Sequence, residues 1–554
     1  MPSRGSRSGE IVSGTIEHLR KNKAAPRVSP GMERVLSLPS NNVIVPDRTE
    51  VYALPGSAYR LREIQSKALY HMRLCGGLIA PIGVGHGKFL ISALAGTALE
   101  AQRPLLLVPP ALVKQTQKEI EHFRHHFKVP ENLKVMSYGM LSVESGSRML
   151  DYIAPDLIIA DECHHLRHRT AARTKRVIRY IKNSPQTKFV ALSGTLTAKS
   201  ILDYAHLVEL ALREKSPIPL SYWELQSWAS CIDVGGEPDQ YDLLCLQPLR
   251  QKYGGTPRHA YYRRFESSMG VVATQRSAVA CSLHIVQQAL ELPESITKAL
   301  KDLEKTWTTP GGEEIEDALA MARYRQQILC GFYYEWEWPE GRVDWQWLDA
   351  RAEWHRQVRR VLKRSLEGKD SPLLVARWAQ SDNCFDTQLI RAWEAWDEVR
   401  DRKHPPVKTR WIDEYMVEGC MQFLDNNEPT IIWCKHKALL SAFERRGLPV
   451  YGAGMEIPDL PAHHCAMSMK AHGTGKNLQR WAQNLLTVFP GNGSMIEQLI
   501  GRTHRPGQAE DEVCVHYFKQ HPSVGNDIRK AKEGARYIEE TQGNRMKILY
   551  ATWI

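Results

Sequence analysis

Residues 155–168 read PDLIIADECHHLRH, and this stretch decides the fold class. Leu157, Ile158, Ile159 and Ala160 form an uninterrupted apolar run that ends on Asp161 and Glu162. Such a run reads as a strand buried on both faces, as in a parallel sheet covered by helices. A carboxylate pair at the mouth of that strand suits metal holding and water activation. Asp161 would hold Mg2+ and Glu162 would polarise an attacking water. Asp and Glu also cap helices, so the pair takes its meaning from what surrounds it.

Working outward, strand-like runs recur at 77–82, 104–108 and 189–192, then at 430–434, 465–468, 485–489 and 513–518. Two α/β domains are the economical reading. The first run leads into PIGVGHGKFLIS at 81–92. Gly83, Gly85 and Gly87 would let the backbone approach a phosphate, and Lys88 would reach its β and γ oxygens. The helix that follows would point its N-terminus at the same anion. Two positions depart from the phosphate-loop pattern: Ile82 replaces its first glycine, and Phe89 replaces the hydroxyl residue that coordinates Mg2+. A plain glycine turn between strand and helix is the competing explanation. Near the far end, QLIGRTHRPGQ at 498–508 carries Arg502 and Arg505. Three residues apart, they would share a helix face and could stabilise charge on a transferring phosphoryl group.

The 554 residues exceed what one core supports, and 43% hydrophobic with 24% charged content is ordinary for a globular chain. No apolar stretch approaches ~20 residues, which excludes a spanning helix and a membrane partner. The first thirty residues carry Arg4, Arg7, Arg20, Lys21, Lys23 and Arg27 without an apolar run, so they read as a solvated basic tail. Eleven cysteines without a C-x-x-C pair signal neither a disulfide framework nor a zinc finger and fit a reducing cytoplasm. Seventy-three Lys and Arg against sixty-two acids give +11, a balance suited to a polyanionic partner. Between about 217 and 406 the texture turns polar and aromatic. Trp347, Ala350, Trp354, Val358 and Val361 fall at helical spacing there, with Arg351, Arg356, Arg359, Arg360, Lys363 and Arg364 interleaved. The tryptophans favour a local core; the arginines are either solvated or laid along a phosphate backbone. DRKHPPVK at 401–408 reads as a linker.

Taken in order, the motifs resemble the superfamily-two helicase and translocase set, most closely the Swi/Snf-type DNA translocases in a compact phage or bacterial form. LREIQ (61–65) resembles the Q motif, LLLVPPALVKQ (105–115) motif Ia, DECH (161–164) motif II and LSGT (192–195) motif III. IIWCKHKALL (431–440) resembles motif IV and MKAHGTGKNLQ (469–479) motif V. QLIGRTHRPGQ is the nearest match of all. The resemblance spans about 44–215 and 405–520.

It implies an α/β fold of two RecA-like parallel-sheet motor domains at 44–215 and 405–554. A basic lead-in would occupy 1–43, and a helical, tryptophan-rich insertion 216–404. ATP and Mg2+ would sit in the cleft, with Lys88, Asp161 and Glu162 on one wall and Arg502 and Arg505 on the other. Arg62, Gln65, Gly83, Gly85, Gly87, Lys88 and Gly475 would bind the nucleotide, Gln65 by reading adenine. Lys114, Thr195, Lys435 and Thr474 would contact nucleic acid. The implied partner is double-stranded DNA, with single strands and RNA as weaker candidates. The implied place is the cytoplasm, a bacterial host's for a phage protein. The implied activity is ATP-driven movement along duplex DNA that remodels what is bound to it. Phe89 keeps an alternative open, a nucleotide-gated DNA clamp with impaired hydrolysis. A second departure is FPGNGSMIEQ at 489–498, where the family often has an aromatic–Asn–Pro turn.

Overall fold

A computed structural model describes residues 28–554 except 42, 84, 198, 275–278, 280, 313, 316, 339–340, 365–368 and 403–404. The basic tail at 1–27 and part of the expected linker, 403–404, lie outside the described residues.

Five parallel strands make the first sheet: β1 (Leu78–Pro81), β2 (Pro104–Val108), β3 (Lys134–Ser137), β4 (Leu157–Asp161) and β5 (Lys188–Ser193). Their order is β1-β5-β4-β2-β3, so β4 is central. Its unbroken apolar run is explained by where its side chains go. Ile158 and Ala160 enter one core with Leu105, Leu107 and Phe189, while Leu157 and Ile159 enter the opposite core with Leu106 and Val190. Alternate residues of one strand thus serve two helical layers, and full burial of each Leu or Ile stabilises by ~1.5–3 kcal/mol.

The remaining strands are β6 (Ser282–Gln288), β7 (Phe332–Trp336), β8 (Val407–Trp411), β9 (Thr430–Cys434), β10 (Val450–Tyr451), β11 (Cys465–Ser468), β12 (Gln483–Leu486), β13 (Glu512–Phe518) and β14 (Thr552–Trp553). Seven of them form a second parallel sheet, ordered β10-β11-β9-β12-β13-β6-β14. The molecule is therefore α/β with two parallel sheets.

The block expected as one insertion, 216–404, is divided differently. Trp228, Ile232, Leu249, Tyr261 and Phe265 pack into the first sheet's core, and Val271 bridges Ile79 beside β1. β6 joins the second sheet. Its residues alternate between buried and accessible because only the short β14 covers its outer side, so it lacks the continuous apolar run of a central strand. The appendage proper hangs from the antiparallel β7–β8 pair. There the helix Trp345–Lys363 buries Trp347, Trp354, Val358 and Val361 against the helices Pro372–Ala379 and Thr387–Val399. Edge-on tryptophan pairs fill this small core: Trp336–Trp347 at 5.6 Å, Trp347–Trp396 at 5.7 Å and Trp354–Trp393 at 5.0 Å. The expected linker is in part structured, since Val407 and Lys408 begin β8.

The end of the chain ties the two sheets together. In the helix Pro522–Gln542, Tyr537 lies in the first core while Ala531, Ala535 and Ile538 lie in the second. Gln542 accepts from Leu196 N (2.8 Å) and donates to Thr197 O (2.6 Å). Asn544 donates to Gly194 O (2.6 Å) and accepts from Thr274 N (3.3 Å). No described helix is long and apolar enough to cross a membrane.

Candidate active site

The carboxyl ends of β1 and β4 open toward the second sheet, the usual position of ligands in such sheets. After β1 the chain turns through Gly83, Gly85 and Gly87 into the helix Lys88–Ala98. Gly85 has φ +91° and Gly87 φ +74°, backbone that a side chain rarely adopts. A Cβ on Gly85 would also come within 2.8 Å of Pro506 Cδ, so the turn abuts the segment that follows Arg505.

The turn's carbonyls are braced from several sides. Lys88 Nζ donates to Ile82 O (2.9 Å) and Gly83 O (3.3 Å). Arg62, largely exposed, donates to Gly85 O (2.6 Å), and Gly83 N donates to Thr274 Oγ1 (2.9 Å). Gln65 is only 4% exposed. Its Nε2 donates to Gly87 O (3.0 Å) and its Oε1 accepts from Arg62 N (2.8 Å). The amide nitrogen thus braces the turn, while its oxygen closes the capping box at the start of the helix Glu63–Cys75.

The acid pair splits into two environments. Asp161 ends β4, and its Oδ1 is buried without a hydrogen-bond partner. Burial, reinforced by adjacent Glu162 and opposed by Lys88, pushes the Asp161 carboxyl above its ordinary value. Glu162 sits in the left-handed region at φ +51°, ψ +51°, a conformation that costs about 1–2 kcal/mol in a non-glycine residue. Its Oε2 lies 3.3 Å from His164 Nδ1 and accepts from Ser193 Oγ at 3.2 Å. Burial alone would raise Glu162, but Lys88, the His164 bond and Arg502 outweigh it and hold the carboxyl well below its ordinary value. The two carboxyls are thus pushed in opposite directions by their surroundings.

An orphaned, buried carboxylate oxygen suits a hard cation. Asp161 would hold it. Phe89 adds no oxygen: its ring packs toward Phe123 (centroids 5.8 Å apart) in the core beneath the turn. No group of three or more His, Cys, Asp or Glu poised for a metal occurs among the described residues. The donor set fits Mg2+, which takes one or two carboxylates and completes its shell from phosphate oxygens and water.

The opposite wall departs from expectation in an instructive way. The helix Gly493–Thr503 follows β12, and Asn492 caps it by accepting from Ser494 N (2.9 Å) and Met495 N (3.1 Å). Arg502 is in its last turn, but Arg505 lies beyond its end, so the two do not share a helix face. A residue before proline, here Arg505 before Pro506, is steered away from helical backbone. The pair converges by another route: Arg502 Nη1 (3.2 Å) and Arg505 Nη1 (3.3 Å) both donate to Lys476 O. Arg505 also bonds Asn477 Oδ1, while its buried Nε has no partner. Arg502 is 5% exposed; burial and then Arg505 bring it down to about 10, with Glu162 opposing.

The other expected contacts scatter. A Cβ on Gly475 (φ +73°) would fall 2.0 Å from Leu112 Cδ2, which makes this glycine a packing contact between the segments 469–479 and 105–115. Lys114 and Lys435 are exposed, Lys435 bonding Gln326, and Thr474 is half-buried. Thr195 is 2% exposed and its hydroxyl meets Ser494, so it links the two walls and is not on a nucleic-acid-facing surface.

Several groups at the site take no role of their own from the sequence, although His164 and Ser193 lie within DECH and LSGT. His164 and Ser193 hold Glu162, and the Tyr138 hydroxyl donates to Asp161 O (2.7 Å). Glu497 and Lys547 lie behind the arginines, joined by Lys547 N to Glu497 Oε2 at 2.7 Å. Tyr138, Glu497 and Lys547 carry no motif signal, and the fold brings them to the site. No protein-family model matches the chain, and no curated protein does.

Proposed function

We propose that the chain is a DNA-dependent ATPase of the superfamily-two class, closest to the Swi/Snf-type translocases, in which two RecA-like domains hydrolyse ATP between them and move along duplex DNA. One observation carries the reading. Buried polar atoms on both walls lack partners, Asp161 Oδ1 on one side and Arg505 Nε on the other, where the glycine turn abuts Pro506 and Glu162 is within electrostatic reach of Lys88 and Arg502. Burying such groups is costly unless something pairs them, and a nucleotide's phosphates with their metal would do so.

In this mechanism Lys88 exchanges the Ile82 and Gly83 carbonyls for phosphate oxygens. A Mg2+ ion held by Asp161 would neutralise charge on the β and γ phosphates. Glu162, kept ionised and oriented by His164 and Ser193, accepts a proton from the attacking water. Arg502 and Arg505 offset the charge that spreads onto the γ-phosphoryl oxygens, and ADP, phosphate and a proton leave. The +11 balance and the exposed Lys114 and Lys435 supply the attraction for a DNA backbone. The cytoplasm is the proposed place of action.

A second reading rests on Phe89, which stands in the sequence where the phosphate-loop pattern has a metal-binding hydroxyl: a nucleotide-gated DNA clamp that turns over poorly. Phosphate release measured alone and with duplex DNA, single strands and RNA tests both. Strong stimulation by duplex DNA is the expected result. Nucleotide-dependent DNA binding without stimulated release supports the clamp, and neither binding nor release overturns both.

A further inference from the structure

Lys547 belongs to none of the motifs, yet its ammonium is at the back of the candidate active site. It starts the short helix Lys547–Tyr550, which packs on the helix Gly493–Thr503 that carries Arg502. The segment leading to it is fixed from both sides. Gln542 and Asn544 are bonded to the 194–197 loop after β5, and Thr274, which donates to Asn544, accepts from Gly83 of the glycine turn. Beyond it, β14 pairs with β6 of the second sheet. The residue is therefore positioned by contacts to both walls.

Its chemistry is unbalanced. The Nζ atom is sealed from water and has no hydrogen-bond partner; the 13% of side-chain surface that remains accessible lies on the stem. The nearest carboxylate oxygen, Glu497 Oε1, is 3.9 Å away, too far for a hydrogen bond, and Oε2 is already taken by the Lys547 amide. The charges within reach are Glu497 on the acidic side and Arg502, Arg505 and Lys88 on the basic side. Burial, only partly offset by Glu497, lowers its proton affinity, as it does for His86, which burial, Lys88, Lys547 and Arg62 push down to about 4. A buried ammonium with one carboxylate at 3.9 Å and three other cations within reach is stabilised further by an incoming anion of several charges.

We infer that Lys547 is an additional phosphate-contacting residue, delivered by the C-terminal segment to the β/γ end of a nucleoside triphosphate beside Arg502 and Arg505. The inference rests on the ATPase reading above and adds a contact that distinguishes triphosphate from diphosphate. A charge-assisted hydrogen bond of this kind corresponds to roughly tenfold or more in affinity.

The test uses the full chain with ATP, ADP and a γ-acyl-phosphate derivative of ATP, which acylates lysine amines lying against the terminal phosphate. On the wild type, the reagent should label Lys547 as well as Lys88, with excess ATP protecting both. Labelling of Lys88 without Lys547 overturns the inference and leaves the ATPase reading standing. No protectable labelling, together with no ATP binding, overturns both. Lys547→Gln should weaken ATP about tenfold and ADP less than about threefold, and Lys547→Arg should recover ATP affinity to within about threefold. Equal losses for ATP and ADP, or no loss in a variant that melts like the wild type, would contradict it. The labelling experiment decides the matter even where Lys547→Gln does not fold.

Discussion

The cleft and the tryptophan-rich appendage are both crowded with arginine, but they treat its charge in opposite ways. In the appendage the guanidinium groups mostly reach acids or rings of the appendage itself, although Arg360 Nε is buried without a bond. Arg360 and Arg364 meet Asp386 at 2.6 and 3.7 Å, Arg402 meets Asp344 at 2.8 Å, and Arg351 covers the rings of Trp336 and Trp347. The appendage even exports a partner: Asp370, 6% exposed, forms a bidentate pair with the fully buried Arg176 of the first sheet's helix Ala172–Asn183, at 3.0 and 3.1 Å. In the cleft, Asp161, Arg505 and Lys547 each keep a buried polar atom without a bond. The difference lies in the neighbours: the appendage sets Arg351, Arg360, Arg364 and Arg402 beside an acid or a ring, whereas the cleft sets Lys547, Arg502, Arg505 and Lys88 within reach of one another. The arginines of the helix Trp345–Lys363 that have partners are thus mostly structural, while those of the cleft are the ones the proposed reaction uses.

That contrast can be broken by substitution. The largest effect belongs to the cleft: Lys88→Ala and Glu162→Gln should each cut DNA-stimulated phosphate release by about 10²–10³-fold while the melting temperature stays near that of the wild type. A variant that retained its rate would remove that residue from the mechanism. Next comes Arg176→Ala, which strands Asp370 in the interior and should cost about 3–5 kcal/mol of stability, read by denaturant unfolding. A loss under about 1 kcal/mol would show that the appendage is not locked to the first sheet.

Phe89→Thr tests the boundary between the two kinds of site. Removing a ring that packs toward Phe123 should cost roughly 1–3 kcal/mol. The new hydroxyl should raise DNA-stimulated hydrolysis if its absence limits metal binding, and an unchanged rate at normal nucleotide affinity would sink that explanation. A smaller effect is expected from Lys114→Ala, which should lower the salt dependence of duplex binding by about one unit of log–log slope. The smallest comes from Arg356→Ala: its pair with Glu353 is solvent-facing and should contribute roughly 0.5 kcal/mol or less.

Much of this architecture is readable from residue order, for physical reasons that also mark where reading stops. β2, β4 and β9 are continuous apolar runs because both faces are covered, and the helix Trp345–Lys363 shows its buried stripe at helical spacing. β3 and β6 are less legible. β3 is an outer strand and β6 has only the short β14 on one side, so their residues alternate or stay polar. The glycine turn and the acid pair are local motifs, so their meeting with Arg502 needed only the fold class. The departure of Arg505 from the helix was visible in Pro506, once the steric effect of proline on its predecessor is applied. The bond from Gln65 to the glycine turn was not legible, because it spans 22 residues. Lys547 could not have been found. It reaches the site only through long-range contacts of the chain's end.

The central claim is that one nucleotide is shared between the two sheets. It is tested most directly by phosphate release with duplex DNA from the wild type, Lys88→Ala and Arg505→Ala, side by side. Lys88 belongs to the first sheet's turn, and Arg505 follows the helix after β12 in the second. The account predicts DNA-stimulated release by the wild type and a loss of about 10²-fold or more in each variant at unchanged stability. Full activity in Arg505→Ala, or no hydrolysis by the wild type, would contradict it.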